Sequence, residues 1–422
     1  MPGHKGKGSY AAYGHDITEI EGADVLYSPS GIILESERNA GALFGTGRTV
    51  YSAEGSSLSV KTMLALVAAY AKERGDEPLV LAARNVHKSF VSAMTLLDFD
   101  VEWIYGDSLI STRLTGEDLA SLLDGMKRKP TAVYLTSPDY LGNIADIASL
   151  VKVCHARGVL LLVDNAHGAY LKFLPEDMHP ITLGADMCCD SAHKTLPVLT
   201  GGGYLHISKN APAMLAERAD EMMSLFASTS PSYLILESLD LANAYLDESY
   251  KKKLAAFLPI RERAARRLSE SGWRLLDSEP LKITLLTKKH GYTGDEVAKA
   301  LKKSGHFVEF HDRDFLTVML SPEFSEEELL AFTDTLSAIP RRAEIREPQP
   351  KSPVGERRMS PREATFAPSV YMDVGECEGR ILASLSVSCP PAVPILISGE
   401  VVTGEAIAAL RYYGTEKIRV VK

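Results

Sequence analysis

Cysteine is scarce in this sequence, and what there is does not pair by spacing. The five cysteines are Cys154, Cys188, Cys189, Cys377 and Cys389, and none forms a C-x-x-C unit. A structural zinc site wants ligands at short paired spacings, so no metal centre is expected. An odd, scattered set also argues against a disulfide framework; reduced thiols in a cytoplasmic protein are the expectation. No apolar run approaches the roughly 18 residues of a membrane span. The opening Met1-Pro2-Gly3-His4-Lys5 is charged and glycine-bearing, and it does not read as a signal peptide. Positive charge is not in surplus: Lys and Arg total 46 against 55 Asp and Glu, a formal net charge of −9. Nucleic acid demands clustered basic residues, so it is not an expected partner. Gly45-Thr46-Gly47 is too short for a nucleotide loop and precedes no Lys-Ser pair. A hydrolase elbow of the G-x-S-x-G kind is missing too.

What is present is the balance of a soluble globular chain: 45% hydrophobic and 24% charged over 422 residues. That length suits two or three domains. Residues 1–30, rich in Gly, Tyr and polar groups, read as an N-terminal arm. From about Ser57 the pattern alternates. Ser57–Lys72, Lys88–Leu97, Glu117–Met126 and Ile147–Ala156 have helical spacing. Between them lie short apolar runs at Leu79–Ala83, Val101–Tyr105, Thr131–Leu135 and Val159–Val163. The last is continuously apolar, as in a strand covered on both faces. Repeated alternation predicts an α/β fold, a mostly parallel sheet sandwiched by helices, over residues 31–260. A helical stretch runs from Ser232 to Leu258, where Pro259 reads as a break before a further helix Arg261–Ser271. Residues 261–345, with strands at Lys282–Thr287 and Phe307–Phe310, predict a smaller α+β domain. Residues 346–422 form a C-terminal segment, entered through an extended, proline-rich connector at Ala343–Phe366.

Ligands in such sheets bind at the carboxyl ends of the strands. Four polar clusters fall there: Arg84-Asn85-Val86-His87-Lys88, Thr136-Ser137-Pro138-Asp139-Tyr140, Asp164-Asn165-Ala166-His167-Gly168 and Asp190-Ser191-Ala192-His193-Lys194. One such cluster is routine, whereas four suggest a shared site. Together they offer what a pyridoxal-phosphate site needs. Lys194 is a lysine to carry the cofactor as a Schiff base. Asp164 is a carboxylate to keep the pyridine nitrogen protonated. Ser56 and Ser57, after Gly55, can cap a helix whose amides suit a phosphate. His87 is a flat group to lie on the ring. Each feature alone has a blander explanation, as a cap, a turn or a surface pair; their order and placement favour the site. The pair Cys188 and Cys189 reads as core packing, and His311-Asp312-Arg313-Asp314 as a solvated turn.

Several motifs resemble the bacterial ornithine/lysine/arginine decarboxylases, fold-type-I pyridoxal-phosphate enzymes. They are Met1-Pro2-Gly3-His4-Lys5-Gly6, Arg84-Asn85-Val86-His87-Lys88-Ser89, Val163-Asp164-Asn165-Ala166-His167-Gly168 and Ser191-Ala192-His193-Lys194-Thr195-Leu196. Ser228-Thr229-Ser230-Pro231-Ser232-Tyr233 and Pro390-Pro391-Ala392-Val393-Pro394 with Gly399-Glu400 are also similar. The resemblance spans nearly the whole chain, in a short form without the wing domain of larger members. It implies decarboxylation of lysine, arginine or ornithine to the amine. Lys194 resembles the Schiff-base lysine, Asp164 the pyridinium partner, His167 the histidine beside it and His87 the stacking ring. Ser56, Ser57, Ser191 and His193 occupy positions that fix the phosphate. Thr229 and Ser230 resemble residues that reach a phosphate across a homodimer interface. Glu309, in Val308-Glu309-Phe310, is similar to a glutamate near the distal amine of the substrate, where a buried carboxylate would select a basic amino acid.

The chain departs from the family where Cys389 replaces a frequent Tyr, Ala392 a frequent Gly and Asn165 a frequent Glu. Two other readings use the same cofactor residues. One is another pyridoxal-phosphate reaction such as transamination, for which Arg380 is a candidate carboxylate clamp. The other is a cofactor-binding homologue without turnover.

Overall fold

The computed structural model describes residues 2–106, 108–389 and 392–422, so Met1, Asp107 and the Pro390-Pro391 pair lie outside the described residues. Its centre is a seven-stranded sheet of β1 (Arg48–Ser52), β2 (Leu79–Ala83), β3 (Asp100–Ile104), β4 (Ala132–Thr136), β5 (Leu160–Asp164), β6 (Met187–Asp190) and β7 (Gly203–Ile207). The spatial order is β1-β7-β6-β5-β4-β2-β3. From β3 to β6 every pairing is parallel; β7 runs antiparallel to both β6 and β1.

The period of two along β5 explains why it sits at the centre. Leu160 and Leu162 enter the core on one face, packed with α2 (Ser56–Glu73) and α3 (Lys88–Leu97). Leu161 and Val163 enter the core on the other face, with helices Gly116–Gly125 and Ile147–Ala156. A strand buried on both faces must be apolar at every position, as this one is until Asp164.

The sheet extends further than the alternation suggested. β1 and β7 form its antiparallel edge, and α1 (Ile32–Phe44) precedes β1. The arm before α1 is mostly turns with one short 3-10 turn at Ala11–Gly14, and Ala23 and Leu26 pin it to the core. Pro259 does not end a helix. It lies inside helix Lys251–Glu270, where Leu254, Phe257, Ala264 and Leu268 bury one continuous face. That burial offsets the lost hydrogen bond, which costs about 3 kcal/mol.

A second, antiparallel sheet has the order β8-β10-β9, with β8 (Lys282–Leu286), β9 (Phe310–His311) and β10 (Phe315–Met319). The strand expected at Phe307–Phe310 therefore starts at its last residue, and Glu309 lies just before it. The connector is extended apart from a capped helix at Pro361–Phe366. Beyond it β11 (Ser369–Asp373) pairs with β14 (Lys417–Val421), and β12 (Ser386–Cys389) with β13 (Val393–Ile397). Among the described residues no helix is long and apolar enough to cross a membrane.

Candidate active site

The carboxyl ends of the central strands open on a cavity of about 240 Å³. Eight of the residues singled out by sequence line it: Ser56, Ser57, His87, Asp164, His167, Ser191, His193 and Lys194. They come from four separate segments, brought together because parallel strands all end on one side of a sheet.

Each is held by its own local structure. Asp164 is the last residue of β5 and is 2% exposed. Its Oδ2 accepts the Tyr134 hydroxyl at 3.1 Å; its Oδ1 accepts the Ala166 amide at 3.2 Å and the Cys189 thiol at 3.4 Å. His87 is the N-cap of α3: its Nδ1 accepts the Ser89 amide at 3.2 Å, which fixes the ring against the cavity wall. Burial holds the His87 ring below the usual histidine range. Lys194 sits on the single-turn helix Ala192–Thr195 that follows β6. Burial pulls its ammonium below the ordinary lysine value, although the charges of Glu309 and Asp164 oppose the shift. Its Nζ is 2.6 Å from Nε2 of His167. His193 turns its Nδ1 to the Gly202 carbonyl at 2.9 Å.

One wall is shaped for an anion. Gly55 takes φ +68°, a conformation that suits glycine, and starts the 18-residue α2 at the cavity. As an N-cap it brings no side chain to occupy the first amides of the helix, which are left to a ligand. The hydroxyl of Ser191 donates to that of Ser56 at 2.8 Å, closing this wall. A half-buried lysine, a buried carboxylate, a fixed flat ring and an open helix start suit pyridoxal phosphate.

The remaining expectations fall elsewhere. Glu309 is exposed rather than buried and does not line the cavity, though its charge is felt at Lys194 and His193. Thr229 and Ser230 are exposed and also outside it; the Ser228 amide donates to Glu54 of the cavity rim at 2.7 Å. Arg380 donates to the Val421 carbonyl in the C-terminal segment and is not a clamp at this cavity. Asp312 and Asp314 are buried, so their turn is not the solvated one expected.

Cys188 and Cys189 are buried on β6, as expected. Cys188 also joins His179 and Asp190 in a buried group whose metal-type donor atoms lie within 4.8 Å. Hydrogen bonds already engage that carboxylate: Asp190 meets His179 at 3.0 Å and Asn165 at 2.7 Å, and His206 Nε2 lies 3.3 Å from it.

Three further participants were given no role of their own by the sequence. Tyr140 lines the cavity and stands edge-on to His167, with ring centroids 5.3 Å apart. Lys282 and Glu279 lie behind His167, both fully buried. A larger cavity of about 560 Å³ lies beyond Thr136 and Glu279, but neither lysine nor histidine lines it.

Comparison with known proteins points to one family. Residues 10–271 match the family model described as Orn/Lys/Arg decarboxylase, major domain. An arginine decarboxylase of Bacillus subtilis (strain 168) is 28% identical over 418 residues, 93% of this chain and 83% of that protein. An arginine decarboxylase of Halalkalibacterium halodurans is 29% identical over 452 residues, 97% of this chain and 89% of that protein. The structure of the Francisella novicida lysine decarboxylase LdcF shares the fold, with a TM-score of 0.77 and 18% identity over all of this chain and 78% of its own. This chain belongs to the Orn/Lys/Arg decarboxylase family of fold-type-I, pyridoxal-phosphate-dependent enzymes.

Proposed function

We propose that the cavity at Lys194 is where this chain releases carbon dioxide from the α-carboxylate of a basic amino acid. The observation that carries this reading is the convergence of Lys194, Asp164, His87 and the Gly55-Ser56 helix start on one cavity. Lys194 would carry the cofactor, Asp164 would face its ring nitrogen and His87 its ring face. Ser56, Ser57, Ser191 and His193 would hold its phosphate. When bound, pyridoxal phosphate supplies an electron sink for the bond to the carboxylate.

The protein's part is to bind, orient and manage protons. Asp164 is fixed by three donors at the floor of the site. Burial keeps Lys194 closer to the neutral amine than an exposed lysine would be, as a nucleophile requires. Buried beside two lysines, His167 is held well below the usual histidine range and serves as an uncharged neighbour. Glu309, near enough for its charge to be felt at Lys194, would favour a substrate with a distal cation. The same reading makes the protein a cytoplasmic homodimer, with the exposed Thr229 and Ser230 reaching the partner's phosphate.

The test is carbon dioxide release by the cofactor-loaded protein from arginine, lysine and ornithine in parallel. Arginine leads because relatives similar over nearly the whole chain are named arginine decarboxylases. Release from one of the three is the expected result; release from none, with cofactor bound, would overturn the reading.

A further inference from the structure

Behind His167 stands a second lysine that the proposed chemistry does not use. Lys282 opens β8 and is 0% exposed. Its ammonium donates to the Asp139 carbonyl at 2.9 Å and to His167 Nδ1 at 2.6 Å, and Glu279 Oε1 lies 2.7 Å away as its ion-pair partner. Glu279 is itself buried, and its other oxygen accepts the Tyr170 hydroxyl at 2.8 Å. That carboxylate supplies the counter-charge a buried ammonium needs. A charged ammonium has no lone pair, so it only donates. Nδ1 of His167 must therefore present a lone pair, and the single proton of the neutral ring sits on Nε2. That nitrogen is the one 2.6 Å from Lys194.

We propose that Lys282 is a positioning residue. From the far side of His167 it fixes the Nε2–H form, aims that N–H at Lys194 and can resupply the ring with a proton from behind. The proposal rests on the reading of the Lys194 cavity as the active site.

The proton movement balances. When Lys194 Nζ takes the proton from Nε2, the Nε2–H bond breaks and an N–H bond forms on Lys194. In the same exchange a proton of Lys282 moves to Nδ1. Lys282 is left an amine between Glu279 and the Asp139 carbonyl, Lys194 becomes an ammonium, and the ring is neutral before and after. The reverse passage restores the start. Lys194, Lys282, His87 and Tyr140 are the titratable groups that face the ring. Burial first, and then the lysine charge beside the ring, disfavour a doubly protonated imidazole there. The charge of Lys282 also helps to keep Lys194 an amine, after burial itself.

The experiment is nitrogen NMR of histidine-labelled protein, with and without cofactor, in the wild type and Lys282→Met. Methionine fills a similar volume without charge. In the wild type His167 should show Nε2 protonated and Nδ1 bare throughout the neutral pH range. In Lys282→Met the fixed form should be lost, the ring should titrate at least ~1 pH unit higher, and kcat should fall ~10²-fold or more. Glu279→Gln, which weakens the hold on the ammonium without emptying the space, should shift His167 the same way and serves if Lys282→Met does not fold. An Nδ1–H form in the wild type, or an unchanged His167 in the folded variants, would overturn the proposal. The NMR reading does not depend on turnover. A fixed Nε2–H form without carbon dioxide release would defeat the decarboxylase reading alone, whereas normal release with an unmoved His167 in the variants would defeat this one alone.

Discussion

The guanidinium of Arg84 lies 2.8 Å from the carboxylate of Glu400, 316 positions further along the chain. Both groups are buried, at 1% and 4% exposure. Arg84 also stands over the Trp103 ring at 4.9 Å and donates to the Ile395 carbonyl at 3.3 Å. Glu400 accepts the Ile397 amide at 2.9 Å. The pair rivets the end of β2, three residues before His87, to the C-terminal segment. Glu400→Ala should strand the arginine charge and destabilise the fold by about 3–5 kcal/mol. Urea unfolding measures this, and an unchanged midpoint would show that the pair contributes nothing.

Lys194→Ala should remove the visible absorption of protein-bound cofactor and bring carbon dioxide release to background. A normal band in the variant would place the attachment on another residue.

Asp164→Ala should lower kcat by ~10³-fold, because it removes the carboxylate fixed at the floor of the site. Cofactor content should be measured alongside, so that loss of binding is told apart from loss of rate. A near-normal rate in loaded protein would end the assignment.

Glu309→Gln should raise KM for the basic amino acid while leaving cofactor affinity as it was. Since the carboxylate is exposed, the expected effect is only about fivefold or less. Equal losses in substrate and cofactor binding would make the residue structural.

Asp312 gives the protein a pH-dependent weak point outside the active site. Burial pushes its carboxyl up to about 7, although its Oδ1 accepts the amides of Asp314 and Phe315. The unfolded chain releases this proton near about pH 3.9. Between those two values the folded state holds more protons than the unfolded one, so stability falls as pH rises through the window. The fall is on the order of 1.4 kcal/mol per pH unit, and it ends above the folded value. Asp312→Asn should remove this component. Denaturation midpoints across the window check it, and an unchanged slope in the variant would sink the idea.

The central sheet and most of its site were legible because they rest on short-range signals. β2, α3 and helix Ile147–Ala156 stand where their periodicity put them, and Lys194 and Asp164 were visible as strand-end groups. The elements that went unread carry polar groups inward. The buried side of α1 includes Ser36 and Glu37, which breaks its apolar stripe. Glu37 is placed by Arg48 at 2.7 Å and by the Tyr51 amide at 2.9 Å, partners from the next strand. β7 hides His206, whose partners Thr49 and Asp190 come from two other strands. Lys282 belongs to the same class. A lysine at a strand start reads as exposed until Glu279, Asp139 and His167 are seen around it. Polar groups that are satisfied only across the fold leave no local pattern.

The bond between Ser191 and Ser56, with the Gly55 amide held by the Gly201 carbonyl at 2.6 Å, joins three stretches of backbone into one rim. Such a rim needs no ligand to set its shape, so little ordering is left for the cofactor to impose on arrival. Supply of cofactor then acts as a throttle by mass action. A cofactor that binds the folded chain alone then raises the unfolding midpoint as its concentration rises.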